Sequence, residues 1–226
     1  EEPPRTAAPI TTPSPWKTFR YLLNTPSYLY NLVGSAAMTF AAGGLAFWFP
    51  TFLSRMRGWE ITQATQLFGA TTVVAGISGT LFGGFVADLW QNRNPKSYFH
   101  VSAIGMLLSV PMAMLSILIE SKAWVFPFVF LTEFLLFFNI SPLNAAIISV
   151  VPARMRATAM AGNILFIHIL GDALSPTAIG HISDMMGSLT SGMLVACPAI
   201  FLGGVVLLLG GNKLVEDQNR VQFTKL

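Results

Sequence analysis

Six long apolar runs occupy almost the whole chain between residues 27 and 210, and short polar segments separate them. A helix crossing the roughly 30 Å hydrocarbon core of a bilayer needs about 20 mostly apolar residues. The runs meet that length at about Ser27–Leu53, Ala64–Leu89, Ser97–Ile119, Ala123–Ile148, Met155–Ile182 and Leu189–Gly210. Backbone polar groups in lipid must be satisfied within the segment, so runs of this kind fold as helices. The expected fold is an all-α membrane protein with six transmembrane helices. Only 10% of the residues are charged, against about 25% in soluble domains. No loop is long enough to hold a soluble catalytic domain.

The charges are unevenly shared between the two sides. Both tails and the even-numbered loops hold ten cations: Arg5, Lys17, Arg20, Arg93, Lys96, Arg154, Arg156, Lys213, Arg220 and Lys225. The other side has three, Arg55, Arg57 and Lys122. The positive-inside rule therefore places both termini in the cytoplasm. The net charge of +3 is accounted for by these loops, and no nucleic-acid partner is expected. Residues 1–26 read as a cytoplasmic linker, proline-rich at its start, with a short amphipathic helix over Trp16–Leu23 on the inner surface. Residues 27–210 form the six-helix unit, and 211–226 a cytoplasmic tail. The single Cys197 rules out an internal disulfide and a thiolate zinc set. No cofactor motif, metal spacing or nucleophile–base pair is visible, so an enzyme is not expected.

An ionisable side chain in mid-membrane is costly and is by default a functional candidate. Glu133 lies about ten residues into the fourth run, roughly 15 Å along a helix axis. His168 lies about as deep in the fifth, entering from the opposite side. Asp172 follows His168 at i+4 and shares its helix face. Glu133 and His168 are expected to line a central cavity, where a carboxyl exchanges a proton or pairs with a cationic head group. His168 would donate to a phosphate or titrate near neutral pH. Packing against a neighbouring helix is the alternative for each, and Asp172 also suits a role in ordering the backbone around Ser175–Pro176. Asn139, Ser141, Pro142 and Asn144 interrupt the fourth run, since proline removes a helical hydrogen bond. Gly76, Gly79, Gly83 and Gly84 line the second run and suit close helix packing.

The second run ends Gly83-Gly84-Phe85-Val86-Ala87-Asp88-Leu89-Trp90-Gln91-Asn92-Arg93. This resembles the cytoplasmic signature loop G-x-x-x-D-R-x-G-R-R of the major facilitator superfamily. Gly84, Asp88 and Arg93 match; the central glycine and the first arginine do not. More specifically, the chain resembles the spinster family of lipid transporters. The resemblance rests on Glu2-Pro3-Pro4-Arg5, on Gly44–Leu53, on Glu133 with Asn139, and on His168–Pro176 with Ile179–Asp184. It covers most of residues 1–185.

The resemblance implies the C-terminal six-helix half of a twelve-helix major facilitator fold, with the N-terminal half as its partner. It implies alternating-access transport of a lysophospholipid or sphingosine-phosphate-like amphiphile, with possible proton coupling. Glu133, His168, Asp172 and Asn139 would then serve substrate or proton. Gly84, Asp88 and Arg93, with Arg154 and Arg156, would serve the cytoplasmic gate. The expected setting is a multi-pass protein of a plasma (bacterial inner) membrane, in contact with membrane lipids. Transport of a drug-like compound or small organic anion is one alternative, and a non-transporting scaffold or sensor another.

Overall fold

The computed structural model describes residues 14–223, so the Glu2–Arg5 motif, most of the linker and Lys225 lie outside the described residues. All regular structure among the described residues is helical. A short helix α1 (Pro15–Leu23) leads into α2 (Pro26–Arg57), α3 (Ile61–Gln91) and α4 (Ser97–Leu118). The fourth span is broken into α5 (Lys122–Phe137) and α6 (Ile140–Val150). A 3₁₀ turn (Ala153–Met155) opens the fifth, followed by α7 (Arg156–Ile167), a π turn (His168–Asp172) and α8 (Ser175–Met186). The sixth comprises α9 (Leu189–Leu194) and α10 (Ala196–Phe223). Among the described residues, six stretches are long and apolar enough to cross a membrane, as the sequence implied.

α1 forms over the expected segment. Ser14 accepts the Lys17 N–H at its start, Pro15 occupies the first helical position, and Asn24 folds its amide back onto the Arg20 carbonyl at 2.8 Å. Thr18 and Leu22 point into the protein, whereas Trp16 and Leu23 are exposed. That division is what an interfacial helix requires.

Helix α3 shows how the bundle is built. Ala75, Gly79, Gly83 and Ala87 recur every four residues and are buried. Val73, Ile77, Leu81, Phe85 and Leu89 recur at the same spacing and are exposed. Small residues face protein and large apolar ones face outward, the arrangement for helices whose contacts rest on close approach rather than on escape from water. α5 packs against both α3 and α4, and α10 runs along α2 and α4.

The fourth span breaks at Phe138–Asn139, three residues ahead of Pro142. Pro142 has no N–H to give the Phe138 carbonyl, and Asn139 turns its amide onto the carbonyls of Leu135 (2.9 Å) and Leu136 (3.0 Å). The last helix runs on past Gly210. It continues through Lys213 to Phe223, burying Leu214, Asp217 and Val221.

At the end of the bundle away from the termini, Arg57 donates to the carbonyls of Ile117 (3.0 Å) and Leu118 (3.2 Å), closing α4. Gly58 and Gly187 end α2 and α8 with φ of 64° and 60°, a conformation costly for other residues. Glu60 starts α3 by accepting the N–H groups of Thr62 (2.9 Å) and Gln63 (2.7 Å). These bonds hold its pKa below the ordinary carboxylate value. A lowered folded-state pKa stabilises above the unfolded value, and the gain is lost as pH falls through the folded one. Glu60→Ala should therefore lower the unfolding temperature at pH 7. The gap between the two melting curves should narrow as the pH is lowered from the ordinary carboxylate value of about 4.3 through the lower folded-state value; a gap that stays constant down this range would contradict the cap.

Candidate functional site

A cavity of about 340 Å³ opens between α2, the α5–α6 break, α7 and the π turn. Its lining is mixed: Met38, Ala42, Phe137, Ile140, Leu143, Met160, Ile164 and Ile167 are apolar, and Ser35, Thr39, Asn144, Asn163, His168 and Asp172 are polar.

The His168–Asp172 part of the lining has a local cause. Pro176 cannot donate to the Asp172 carbonyl, which accepts the Ser175 hydroxyl instead at 3.4 Å. The backbone inserts one residue, so that the Ala173 N–H reaches back five positions to the His168 carbonyl at 2.9 Å. Such π turns inside α-helices occur frequently at functional sites. Gly171 lets the turn lie on α2: a Cβ there would sit 2.8 Å from that of Thr39 and 2.9 Å from the Phe40 nitrogen. Gly43 does the same beside Asp172. Across the turn His168 Nδ1 and the Asp172 carboxylate are hydrogen-bonded. Their side chains remain 58% and 39% exposed, which leaves the imidazole's other nitrogen open to a ligand.

Four further polar residues stiffen or furnish this cavity. Asn31 donates to the Leu143 carbonyl at 2.8 Å and accepts the Ser35 hydroxyl at 3.1 Å, joining α2 to α6. Thr39 bonds back to the Ser35 carbonyl. Asn163 is 3% exposed and its Oδ1 has no hydrogen-bond partner. Asn163 also lines the cavity.

Glu133 is elsewhere. It is 2% exposed, lies on the face of α5 that meets α3, and has Thr72 as its polar neighbour. It does not line the cavity that holds His168 and Asp172, although Phe137, one turn further along α5, does. Asn139 is fully buried and spends its amide on its own helix. The structure thus brings His168 and Asp172 together and leaves Glu133 and Asn139 behind the cavity wall.

The signature-loop residues collect at the end of the bundle where the termini lie. Gly84 packs on Ser141 of α6. Asp88 is exposed and accepts the Tyr98 hydroxyl at 3.3 Å. Arg93 and Arg154 are exposed, and Arg156 donates from Nε to the Val151 carbonyl of its own turn at 3.2 Å. No ion pair joins Asp88 to these arginines among the described residues.

The sequence profile of the Major Facilitator Superfamily matches residues 1–176. The chain belongs to that superfamily. Within this superfamily its relatives are spinster proteins. Spinster homolog 3 of Danio rerio is 32% identical over 254 residues, covering 98% of this chain and 50% of that protein. Spinster homolog 1 of Homo sapiens is 33% identical over 206 residues, covering 82% of this chain and 39% of that protein. The fold matches the crystal structure of a bacterial homolog to the human lysosomal transporter spinster, in its inward-facing and unoccupied conformation. The TM-score is 0.65 at 18% identity, over 97% of this chain and 54% of that one. This major facilitator chain spans about half the length of the curated relatives it matches, as expected of one half of a twelve-helix fold.

Sequence reasoning passed over Ser35, Thr39 and Asn163. A signal existed for the first two: Asn31, Ser35 and Thr39 form a polar stripe at i, i+4 and i+8 in an otherwise apolar run. Asn163 stands alone in α7 and gives no such pattern.

Proposed function

We propose that the transporter containing this chain moves a phosphate-bearing amphiphile, of the lysophospholipid or sphingosine-phosphate kind, by alternating access. The observation that carries this reading is the mixed lining of the central cavity. Eight apolar and six polar side chains line about 340 Å³, a mixture that suits a ligand with a tail and a head better than a sugar or a small anion. His168, oriented by Asp172, donates to the phosphate, and Asn163 accepts from the head group. Glu133 is the proton carrier: a charged carboxylate buried with Thr72 as its polar neighbour and no ion pair among the described residues would cost several kcal/mol, so a proton on it is linked to how α5 packs on α3. Both ends of the chain face the cytoplasm, and the membrane is a plasma (bacterial inner) membrane. The gate at that end is formed by Asp88, Arg93, Arg154 and Arg156 with the other half of the transporter.

The test is uptake of labelled lysophosphatidylcholine by the whole transporter in liposomes. His168→Ala should reduce saturable uptake about tenfold or more, the effect of one charge-assisted hydrogen bond. Glu133→Gln should abolish acceleration by a pH gradient while leaving lysolipid exchange intact. Robust transport of a small organic anion with no lysolipid movement would reject the reading.

A further inference from the structure

A second cavity, of about 530 Å³, lies at the opposite end of the bundle from the termini, between the last turns of α2 and the face of α8. Arg55, His181 and Asp184 line it, with Phe47 and Trp48 forming an aromatic wall. Trp48 is held in place: its Nε1 donates to the Pro176 carbonyl at 2.9 Å, and its ring lies on Gly180, where a Cβ would come within 3.1 Å. Phe47 meets it edge-on at 5.3 Å. The three ionisable side chains make no hydrogen bond or ion pair among the described residues. Arg55 and Asp184 thus share one cavity without neutralising each other.

This charge pattern selects its occupant. A simple anion favoured by Arg55 would be opposed by Asp184, and a simple cation would meet the reverse. A group carrying both charges satisfies both. The planar guanidinium of Arg55 matches a phosphate, with an N–H of His181 as a second donor. A neighbouring ammonium would sit beside Asp184 and against the faces of Phe47 and Trp48, where cation–π attraction adds to the ion pair. We propose that this cavity is a second binding site, separate from the central one, for the zwitterionic phospho-amine head group of an amphiphile. It rests on the proposed transport function only for the statement that a transported lysolipid reaches it; a bilayer phospholipid offers the same head-group chemistry.

Trp48 supplies the readout. The whole transporter, in a sugar-headed detergent that carries neither phosphate nor amine, is titrated with lysophosphatidylcholine bearing a nitroxide on its choline. The fluorescence of a Trp48→Phe variant is subtracted. Saturable quenching of the Trp48 signal is expected. Arg55→Gln and Asp184→Asn should each weaken apparent affinity about tenfold or more, as for a lost charge-assisted hydrogen bond. Asp184→Asn should at the same time improve binding of the purely anionic lysophosphatidate, measured by competition.

A second arm uses nanodiscs of phosphatidylcholine carrying the same nitroxide. Quenching that lysophosphatidylcholine displaces identifies the transported lipid as the occupant, and quenching it cannot displace identifies the bilayer; either supports the head-group site. Absence of saturable quenching, or affinities within twofold in both charge variants, would overturn the proposal. So would loss of uptake in Arg55→Gln with head-group affinity unchanged, since the charges would then serve the other half of the transporter. Lysolipid uptake with a silent Trp48 rejects this site and leaves the transport function standing. Binding at Trp48 without any uptake does the reverse.

Discussion

Gly83→Ala is expected to be the most damaging single methyl group that can be added to this chain. Gly83 of α3 is pressed against the Phe138 carbonyl of the broken fourth span, and a Cβ would overlap backbone atoms. Four residues earlier, a Cβ on Gly79 would come within 2.5 Å of the Phe134 carbonyl oxygen. The obstacles are main chain, so no rotamer change can relieve them. Pro142 leaves the Phe138 carbonyl without its helical donor, and the close Cα of Gly83 covers that exposed oxygen. Overpacking a tight core costs about 1–3 kcal/mol, and an unyielding neighbour places this site at the upper end. Thermal unfolding in nanodiscs is the measurement. Gly69→Ala is the control, because Gly69 lies on the same helix with nothing within 4 Å. It should be neutral or stabilising by up to about 1 kcal/mol, the intrinsic helix preference for alanine. Equal effects at the two positions would mean that α3 and α5 are not in this contact.

The contrast between these glycines shows which parts of the fold were legible. The six spans were readable because a bilayer imposes a length on every apolar helix, and no packing partner is needed to see it. The glycine stripe of α3 was readable as a close-packing face for the same reason. What could not be read was rotation about a helix axis. The position of Glu133 along the fourth run was legible, but only the packing of α5 on α3 decides that it points at Thr72 and not into the cavity with His168. The i+4 relation of His168 and Asp172 was visible, whereas the π turn that presents them depends on Gly171 fitting against Thr39 and Phe40. That the last helix stays packed beyond Gly210 was not legible, because Lys213, Glu216 and Asp217 look like a polar tail. Leu214 and Val221 continue the buried face past them, and the partner of Asp217 lies 190 residues away in sequence.

That distant contact yields the second large effect, in Asp217→Ala. Helix α2 begins at Pro26 without a side-chain cap of its own. Asp217 of α10 supplies one: its Oδ2 accepts the Ser27 N–H at 2.9 Å and the Ser27 hydroxyl at 2.7 Å. The carboxylate is 2% exposed, and Arg220 Nη1 lies 3.6 Å from its other oxygen. A negative charge at the positive end of a 32-residue helix is favourable, and removing it strands a buried N–H. An unsatisfied buried donor costs about 1–3 kcal/mol, and the helix dipole adds up to about 2 kcal/mol in a partly buried setting. Asp217→Ala should therefore lower stability by several kcal/mol, and Asp217→Asn by less, since the amide oxygen still accepts. Ser27→Ala loses only the hydroxyl bond. In a double-mutant cycle, Ser27→Ala and Asp217→Ala should cost less together than the sum of the two, because both remove the same bond. Strict additivity would sink the contact. The same latch bears on function, because Ser27 lies two turns of α2 before Ser35 in the cavity wall. Loosening α10 from α2 should therefore weaken the proposed lysolipid uptake in Asp217→Ala even at temperatures where the variant remains folded, and Asp217→Asn should recover part of it.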